Sequence, residues 1–149
     1  MIKKVFWLSF WVAFILLIAS CAPKPEPLPK TKTYIYAFEA QRDLHVKGYK
    51  VFPITGTGSM EPLIPKHPAG DQIIVGYAGV DSTTFDELKP GNVVIYKVSE
   101  KKYIIHRLGQ KKHNGWFVYG IANKGDDDTL VTKRNFIGKV AFINLIFWK

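Results

Sequence analysis

The sequence predicts one mainly β domain behind an N-terminal targeting segment. Short runs rich in Val, Ile, Tyr and Phe are separated by Gly, Pro, Asn and Asp, at intervals of about 10 to 20 residues, which is typical of sandwiches and open barrels. No segment after Cys21 shows a sustained 3.6-residue hydrophobic period, so no amphipathic helix is predicted. A chain of 149 residues, 47% of them hydrophobic, can build one modest core but not two.

The predicted domain covers residues 33–149, and its first predicted strand is the aromatic run 34–38. Further strands are predicted at 49–54, 72–76, 93–98, 102–108, 116–121 and 137–147. The last of these is apolar but too short to cross a bilayer as a helix. It is therefore predicted as a final core strand, with the alternative that Phe147 and Trp148 dip into a membrane interface.

Residues 1–21 have the pattern of a signal peptide. Lys3 and Lys4 precede an apolar run over 5–18, which is shorter than the ~20 residues that a bilayer-spanning helix needs. The following Ile-Ala-Ser-Cys resembles the lipobox of bacterial lipoproteins, and it implies that Cys21 carries lipid. Extending the run to Ala22 leaves an uncleaved single anchor as the alternative. Either interpretation predicts a membrane-tethered, extracytoplasmic protein.

Residues 22–32 form a proline-rich linker in the prediction. Proline recurs at every second position from Pro23 to Pro29, which excludes a helix or a central strand and favours an extended, solvated stalk. Cys21 is the single cysteine of the chain. This excludes an internal disulfide and any multi-thiolate metal site within one monomer.

The stretch from Gly56 to Pro65 is the most distinctive part of the sequence. Glycines on both sides of Thr57 allow a sharp turn, and the prolines at 62 and 65 stiffen the backbone after Ser59. Ser59 would therefore lie on an exposed, pre-shaped turn, as a nucleophile requires. The same residue types also form ordinary surface loops, so composition alone assigns Ser59 no role.

A family resemblance favours a nucleophilic Ser59 over an ordinary surface loop. The Gly-Ser-Met-Glu-Pro run at 58–62 resembles the Ser-Met motif of type I signal peptidases, in which the serine is the nucleophile. Three later stretches resemble that family's other motifs in the same order: 91–96, 104–108, and 123–126 with 137–140. The resemblance covers residues 50–142. It implies the β fold of signal peptidases and repressor-type serine proteases.

His106 is the predicted general base. It lies in the Ile-Ile-His-Arg-Leu stretch, where bacterial signal peptidases usually carry lysine and the endoplasmic-reticulum and archaeal-type enzymes carry histidine. A neutral imidazole can accept the proton of a serine hydroxyl, which is otherwise a poor nucleophile. His67 is the alternative base, since it follows Ser59 by only eight positions.

A carboxylate would complete the site by orienting the imidazole. The Gly-Asp-Asp-Asp stretch at 125–128 resembles the family's Gly-Asp motif, although the spacing of the catalytic aspartate is irregular here. Alignment from the C-terminal side gives Asp128 this role, with Asp126 as the alternative. Three adjacent acids also suit an ordinary solvated turn.

The resemblance assigns two more residues near Ser59. Thr57 stands where bacterial signal peptidases place a serine whose hydroxyl assists the oxyanion, so Thr57 and the Ser59 backbone N–H are the predicted oxyanion donors. Met60 would pack beneath the site and contact the substrate-binding wall. A buried core methionine would look the same in sequence.

Net charge adds a weaker indication about partners. Residues 1–30 hold four lysines and one glutamate, or +3, so +6 of the total +9 lies on residues 31–149. This favours an anionic membrane surface, and no zinc finger, aromatic RNA-binding motif or P-loop indicates nucleic acid. The resemblance implies a serine endopeptidase that cleaves exported or membrane proteins after small residues, with no cofactor and no metal. The alternatives are a non-catalytic lipoprotein with a binding role, a self-cleaving peptidase and a dedicated processing peptidase.

Overall fold

The computed structural model describes residues 24–68, 73–123, 125, 127 and 129–147. The predicted signal peptide or anchor at 1–21, with the lipidation candidate Cys21, lies outside these residues, as do Trp148 and the two predicted acids Asp126 and Asp128. Among the residues that are described, no helix has the length and hydropathy to cross a bilayer.

Seven strands form one sheet, so the predicted mainly β, single-domain fold is confirmed. The strands are β1 (Lys30–Tyr34), β2 (Lys50–Thr55), β3 (Ile74–Val80), β4 (Val93–Ser99), β5 (Lys102–Lys112), β6 (Gly115–Tyr119) and β7 (Phe136–Ile146). Helix α1 (Ala37–Val46) follows β1, and a short 3-10 turn (Phe85–Glu87) precedes β4. The strand order is β2-β3-β7-β4-β5-β6, and β1 pairs with β7 in parallel while the other pairs are antiparallel.

The N-terminal part of the domain differs from the prediction. The first strand occupies Lys30–Tyr34 instead of 34–38, and residues predicted to contain no helix form α1. Only Ala40 and Leu44 of α1 are buried, so its apolar face is too narrow to produce a clear 3.6-residue period. β1 forms because it pairs with residues 142–146 of β7, a distant partner that local sequence cannot reveal.

The described part of the proline-rich linker is attached to the domain and is not a free stalk. The Glu26 N–H donates to the Pro90 carbonyl at 2.9 Å, and Arg107 Nη2 donates to the Glu26 carbonyl at 2.9 Å. A Cβ on Gly91 would lie 2.7 Å from the Glu26 nitrogen, so glycine at 91 permits this close approach. Proline pattern alone predicted an extended backbone, but it could not show what that backbone would contact.

The hydrophobic core consists of two clusters of buried side chains. One buried cluster joins β2, β3, β4 and β7 to the loop after β2, and it includes Ile54, Met60, Ile64, Ile95 and Ile143. A second cluster lies under β4, β5 and β6 and includes Tyr96, Leu108 and Trp116. The loop after β2 is thus fixed by buried apolar side chains on either side of its polar residues.

Candidate active site

The loop after β2 places Ser59 on a tightly folded turn. Gly58 has φ +95°, a left-handed conformation that favours glycine. The loop closes on itself because the His67 N–H donates to the Gly56 carbonyl at 3.0 Å. Met60, which is 2% exposed, inserts into the core directly after Ser59. Ser59 therefore stays partly exposed on an anchored backbone.

The structure brings Ser59 and His106 together. His106 is on β5, where it pairs with Val94 of β4, and it is 7% exposed. Its Nε2 lies 3.2 Å from Ser59 Oγ, which is within hydrogen-bond reach for a nucleophile and its base. Two residues separated by 47 positions in sequence thus meet across the fold.

The carboxylate that contacts His106 belongs to Asp127. Its Oδ2 is hydrogen-bonded to His106 Nδ1, and its own backbone N–H donates to the Val118 carbonyl of β6 at 2.7 Å. The predicted acids Asp128 and Asp126 lie outside the described residues, so their assignment stays a prediction, and among the described residues it is Asp127 that contacts His106. Motif spacing did not indicate Asp127, because its contact with His106 depends on how its backbone is held against Val118 of β6.

The hydrogen-bond pattern also sets the state of the imidazole. A carboxylate at Nδ1 favours the tautomer with its proton on that nitrogen, which leaves Nε2 as an acceptor facing Ser59 Oγ. The Ser59 hydroxyl can therefore donate to Nε2. This is the arrangement that a serine nucleophile and general base require.

Tyr96 is a polar member of the site that the sequence did not indicate. It is fully buried on β4, and its hydroxyl donates to Asp127 Oδ2 over 3.4 Å. Burial, followed by the nearby charge of Asp127, raises the pKa of Tyr96 above its ordinary value. The phenol therefore stays protonated and remains a donor toward the carboxylate. In sequence, Tyr96 is indistinguishable from any aromatic residue of a core strand.

Thr57, the other predicted oxyanion donor, lies beside Ser59. Its Oγ1 is 3.3 Å from Ser59 Oγ, and its side chain is exposed to the cleft. Within the described part of the chain, the Ser59 backbone N–H donates to no protein acceptor. Both groups are thus available as donors to an oxygen bound next to Ser59 Oγ.

The loop after β6 holds the main chain of Ser59. The Ala122 N–H donates to the Ser59 carbonyl at 2.9 Å, and Gly120 packs directly against the same carbonyl. A Cβ on Gly120 would lie 2.5 Å from the Ser59 oxygen and 2.9 Å from its Cβ. Such contacts are too short to be accommodated without moving one backbone.

If Ser59 is the nucleophile that the motif resemblance implies, Gly120→Ala should displace it from His106 and lower kcat by about 10²-fold, as misplacement of a reacting group by about 1 Å does. The matched control is Gly125→Ala in the same loop, because a Cβ on Gly125 meets nothing within 4 Å. Peptide hydrolysis and thermal unfolding of both variants provide the measurement. Equal activity in the two variants would show that this contact does not position Ser59.

A cleft of about 810 Å³ ends at Ser59 and His106. One wall is β2 with the following loop, and the other is the first half of β5. The rings of Phe52 on one wall and Tyr103 on the other lie with their centroids 6.4 Å apart and their planes tilted by 50°. Apolar lining comes from Ile54, Met60, Ile64, Ile95, Ile104 and Ile105. The Ser59 hydroxyl thus faces a mostly apolar channel, the usual composition of a ligand site.

Metal ligands are not grouped in the part of the chain that the structure describes. It contains no group of three or more His, Cys, Asp and Glu side chains placed to hold a metal ion.

Comparison of the chain with protein-family models and with curated protein sequences gave no match. The chemistry of the site is therefore inferred from its own geometry and from the motif resemblance.

Proposed function

We propose that this chain is a serine endopeptidase of signal peptidase I type, acting at a membrane on exported or membrane proteins. Ser59 is the nucleophile, His106 the general base and acid, and Asp127 the residue that orients and charge-stabilises the imidazole. The observation that carries the proposal is the continuous contact from Ser59 Oγ to His106 Nε2 and from His106 Nδ1 to Asp127 at the end of a cleft.

Acylation follows from these contacts. Ser59 Oγ attacks the scissile carbonyl carbon while its proton passes to His106 Nε2, and the carbonyl oxygen becomes an oxyanion. The Ser59 N–H and Thr57 hydroxyl are the donors to that oxyanion, each such donor being worth about 2.7–4 kcal/mol. His106 then protonates the leaving amine, the C–N bond breaks, and an acyl-enzyme remains on Ser59.

Deacylation repeats the same proton transfers, with a water molecule as the nucleophile. His106 Nε2 takes a proton from a water molecule as its oxygen attacks the ester carbonyl, and then returns that proton to Ser59 Oγ. The product is a free carboxylic acid. The Asp127 carboxylate stabilises the imidazolium that forms twice in each cycle, and the Tyr96 hydroxyl donates to the same carboxylate oxygen.

The substrate assignment draws on both the cleft and the resemblance. An apolar channel between two strands suits an extended peptide segment, and the signal peptidase motifs imply small residues before the cut. The basic charge of the chain and its N-terminal apolar run support action at a membrane surface.

The test is hydrolysis by the full chain in detergent of a signal-peptide substrate with alanine before the cut. We expect cleavage at one bond, together with covalent labelling of Ser59 by a fluorophosphonate probe, located by peptide mass spectrometry. A chain that neither cleaves nor labels would instead support a non-catalytic binding lipoprotein. Fragments of the chain itself after long incubation, without cleavage of added substrate, would indicate self-cleavage.

A further inference from the structure

The cleft carries positive charge on one wall at a distance from the reacting atoms. Lys101 and Lys102, at the hairpin between β4 and β5, are the described lining residues with cationic side chains. No Asp or Glu is among the described lining residues, and the neighbouring Glu100 is exposed outside the lining. Among the described residues, a peptide in this cleft therefore meets two cations and no anion.

The described residues also supply no ion-pair partner for these two ammonium groups. Within the described residues, Lys101 and Lys102 have no carboxylate within 4.0 Å, whereas Lys47, Lys89, Lys133 and Lys139 each form an ion pair. A carboxylate arriving with a ligand would therefore gain a new ion pair without breaking an existing one. Only the ordinary cost of ordering two exposed side chains opposes it.

The register of β5 gives the position that such a carboxylate would occupy. β4 pairs with residues 102–107 of β5, and β6 pairs with it only from Arg107 onward. One edge of Lys102–His106 is therefore not used by another strand of the described chain, and it can pair with an extended peptide. Lys102 precedes His106 by four residues, or about 13 Å of strand. A substrate strand alongside would place its fourth residue from the scissile bond at Lys102.

We propose that Lys101 and Lys102 are specificity-determining residues that select peptides with an Asp or Glu about four residues from the cleaved bond. The inference depends on the proposed function, because it identifies the substrate class of that same site. Each exposed ion pair contributes at most about fivefold, and a substrate lysine at the same position would be repelled. The two effects together correspond to about tenfold discrimination between Glu and Lys substrates.

The experiment compares kcat/KM of the full chain for peptides that differ only in Glu, Gln or Lys four residues before or after the cut. We expect Glu to be preferred over Lys by about tenfold on one side of the bond, with Gln between them. The double variant Lys101→Glu with Lys102→Glu should reverse this order. Raising salt to about 1 M should weaken the preference in both proteins, because exposed charges are screened.

A matched control is available on the same strand. Lys111→Glu with Lys112→Glu changes the net charge equally, but both side chains lie at the far end of β5, over the Trp116 and Phe117 rings. This variant should retain the wild-type substrate order. If it reversed the order as well, overall charge would be the cause and the inference would be wrong.

Peptide binding separates this inference from the proposed function. Anisotropy of the three labelled peptides on the Ser59→Ala chain reports binding without turnover, and the Glu peptide should bind most tightly. Discrimination in binding without hydrolysis by the wild-type chain would sustain the lysine assignment and contradict the peptidase. Hydrolysis of all three peptides at equal rates would sustain the peptidase and overturn the lysine assignment.

Discussion

Ser59→Ala and His106→Ala should each lower kcat/KM for a signal-peptide substrate by about 10⁴-fold or more. The first change removes the oxygen that attacks the carbonyl. The second removes the acceptor 3.2 Å from that oxygen, so the hydroxyl keeps its proton. Because the two residues act as one unit, the double variant should be no slower than either single variant. Initial hydrolysis rates of the three proteins provide the measurement.

Two substitutions away from the site control for the loss of a serine or a histidine as such. Ser99→Ala and His113→Ala remove the same residue types from exposed positions at the end of β4 and beyond β5, and both should retain full activity. Thermal unfolding of all variants would show whether a loss reflects the fold. Wild-type turnover in a folded Ser59→Ala or His106→Ala chain would eliminate the proposed mechanism.

Asp127→Asn should lower kcat by about 10⁴-fold while leaving the fold intact. An asparagine amide can donate to His106 Nδ1, which would place the imidazole proton on Nε2 instead. The nitrogen facing Ser59 would then be a donor and could not accept the hydroxyl proton. The anion that stabilises the imidazolium would also be lost. Measurement of kcat and KM for Asp127→Asn checks this, because kcat should fall while KM should change little.

The neighbouring acids supply the control for Asp127. Asp126→Asn and Asp128→Asn change the charge of the same turn by the same amount, and both should remain within about threefold of wild type. A large loss in Asp128→Asn with an active Asp127→Asn would restore Asp128 as the orienting acid. This set of three variants thus decides which aspartate acts on His106.

The sequence predicted six of the seven strands close to their final positions, because β-branched and aromatic runs between turn residues have a strong local signal. It misplaced β1 and missed α1 for different reasons. β1 has mostly exposed residues and depends on pairing with β7, while α1 buries only Ala40 and Leu44. Neither element has enough apolar residues to show a period in sequence.

The aspartate that contacts His106 was also not identified from the sequence. The sequence contains three consecutive aspartates of identical chemistry. Alignment to the family motif, whose spacing is irregular here, favoured Asp128 as the residue that orients His106. The hydrogen bond from the Asp127 N–H to Val118 fixes the turn against β6 and directs the Asp127 carboxylate to His106. The buried Tyr96 hydroxyl on the same oxygen could be recognised only after these strands were placed together.

By itself, the sequence determined the single mainly β domain and the glycine-flanked turn that presents Ser59, and its motifs named His106 as the partner. These features depend on local propensity and on motifs, which are properties of short segments. Only the tertiary structure decided that Asp127 contacts the His106 imidazole, that Gly120 packs on the Ser59 carbonyl, and that Arg107 donates to the Glu26 carbonyl. Each of these contacts joins residues of separate elements, and their distances follow from strand register and not from spacing along the chain.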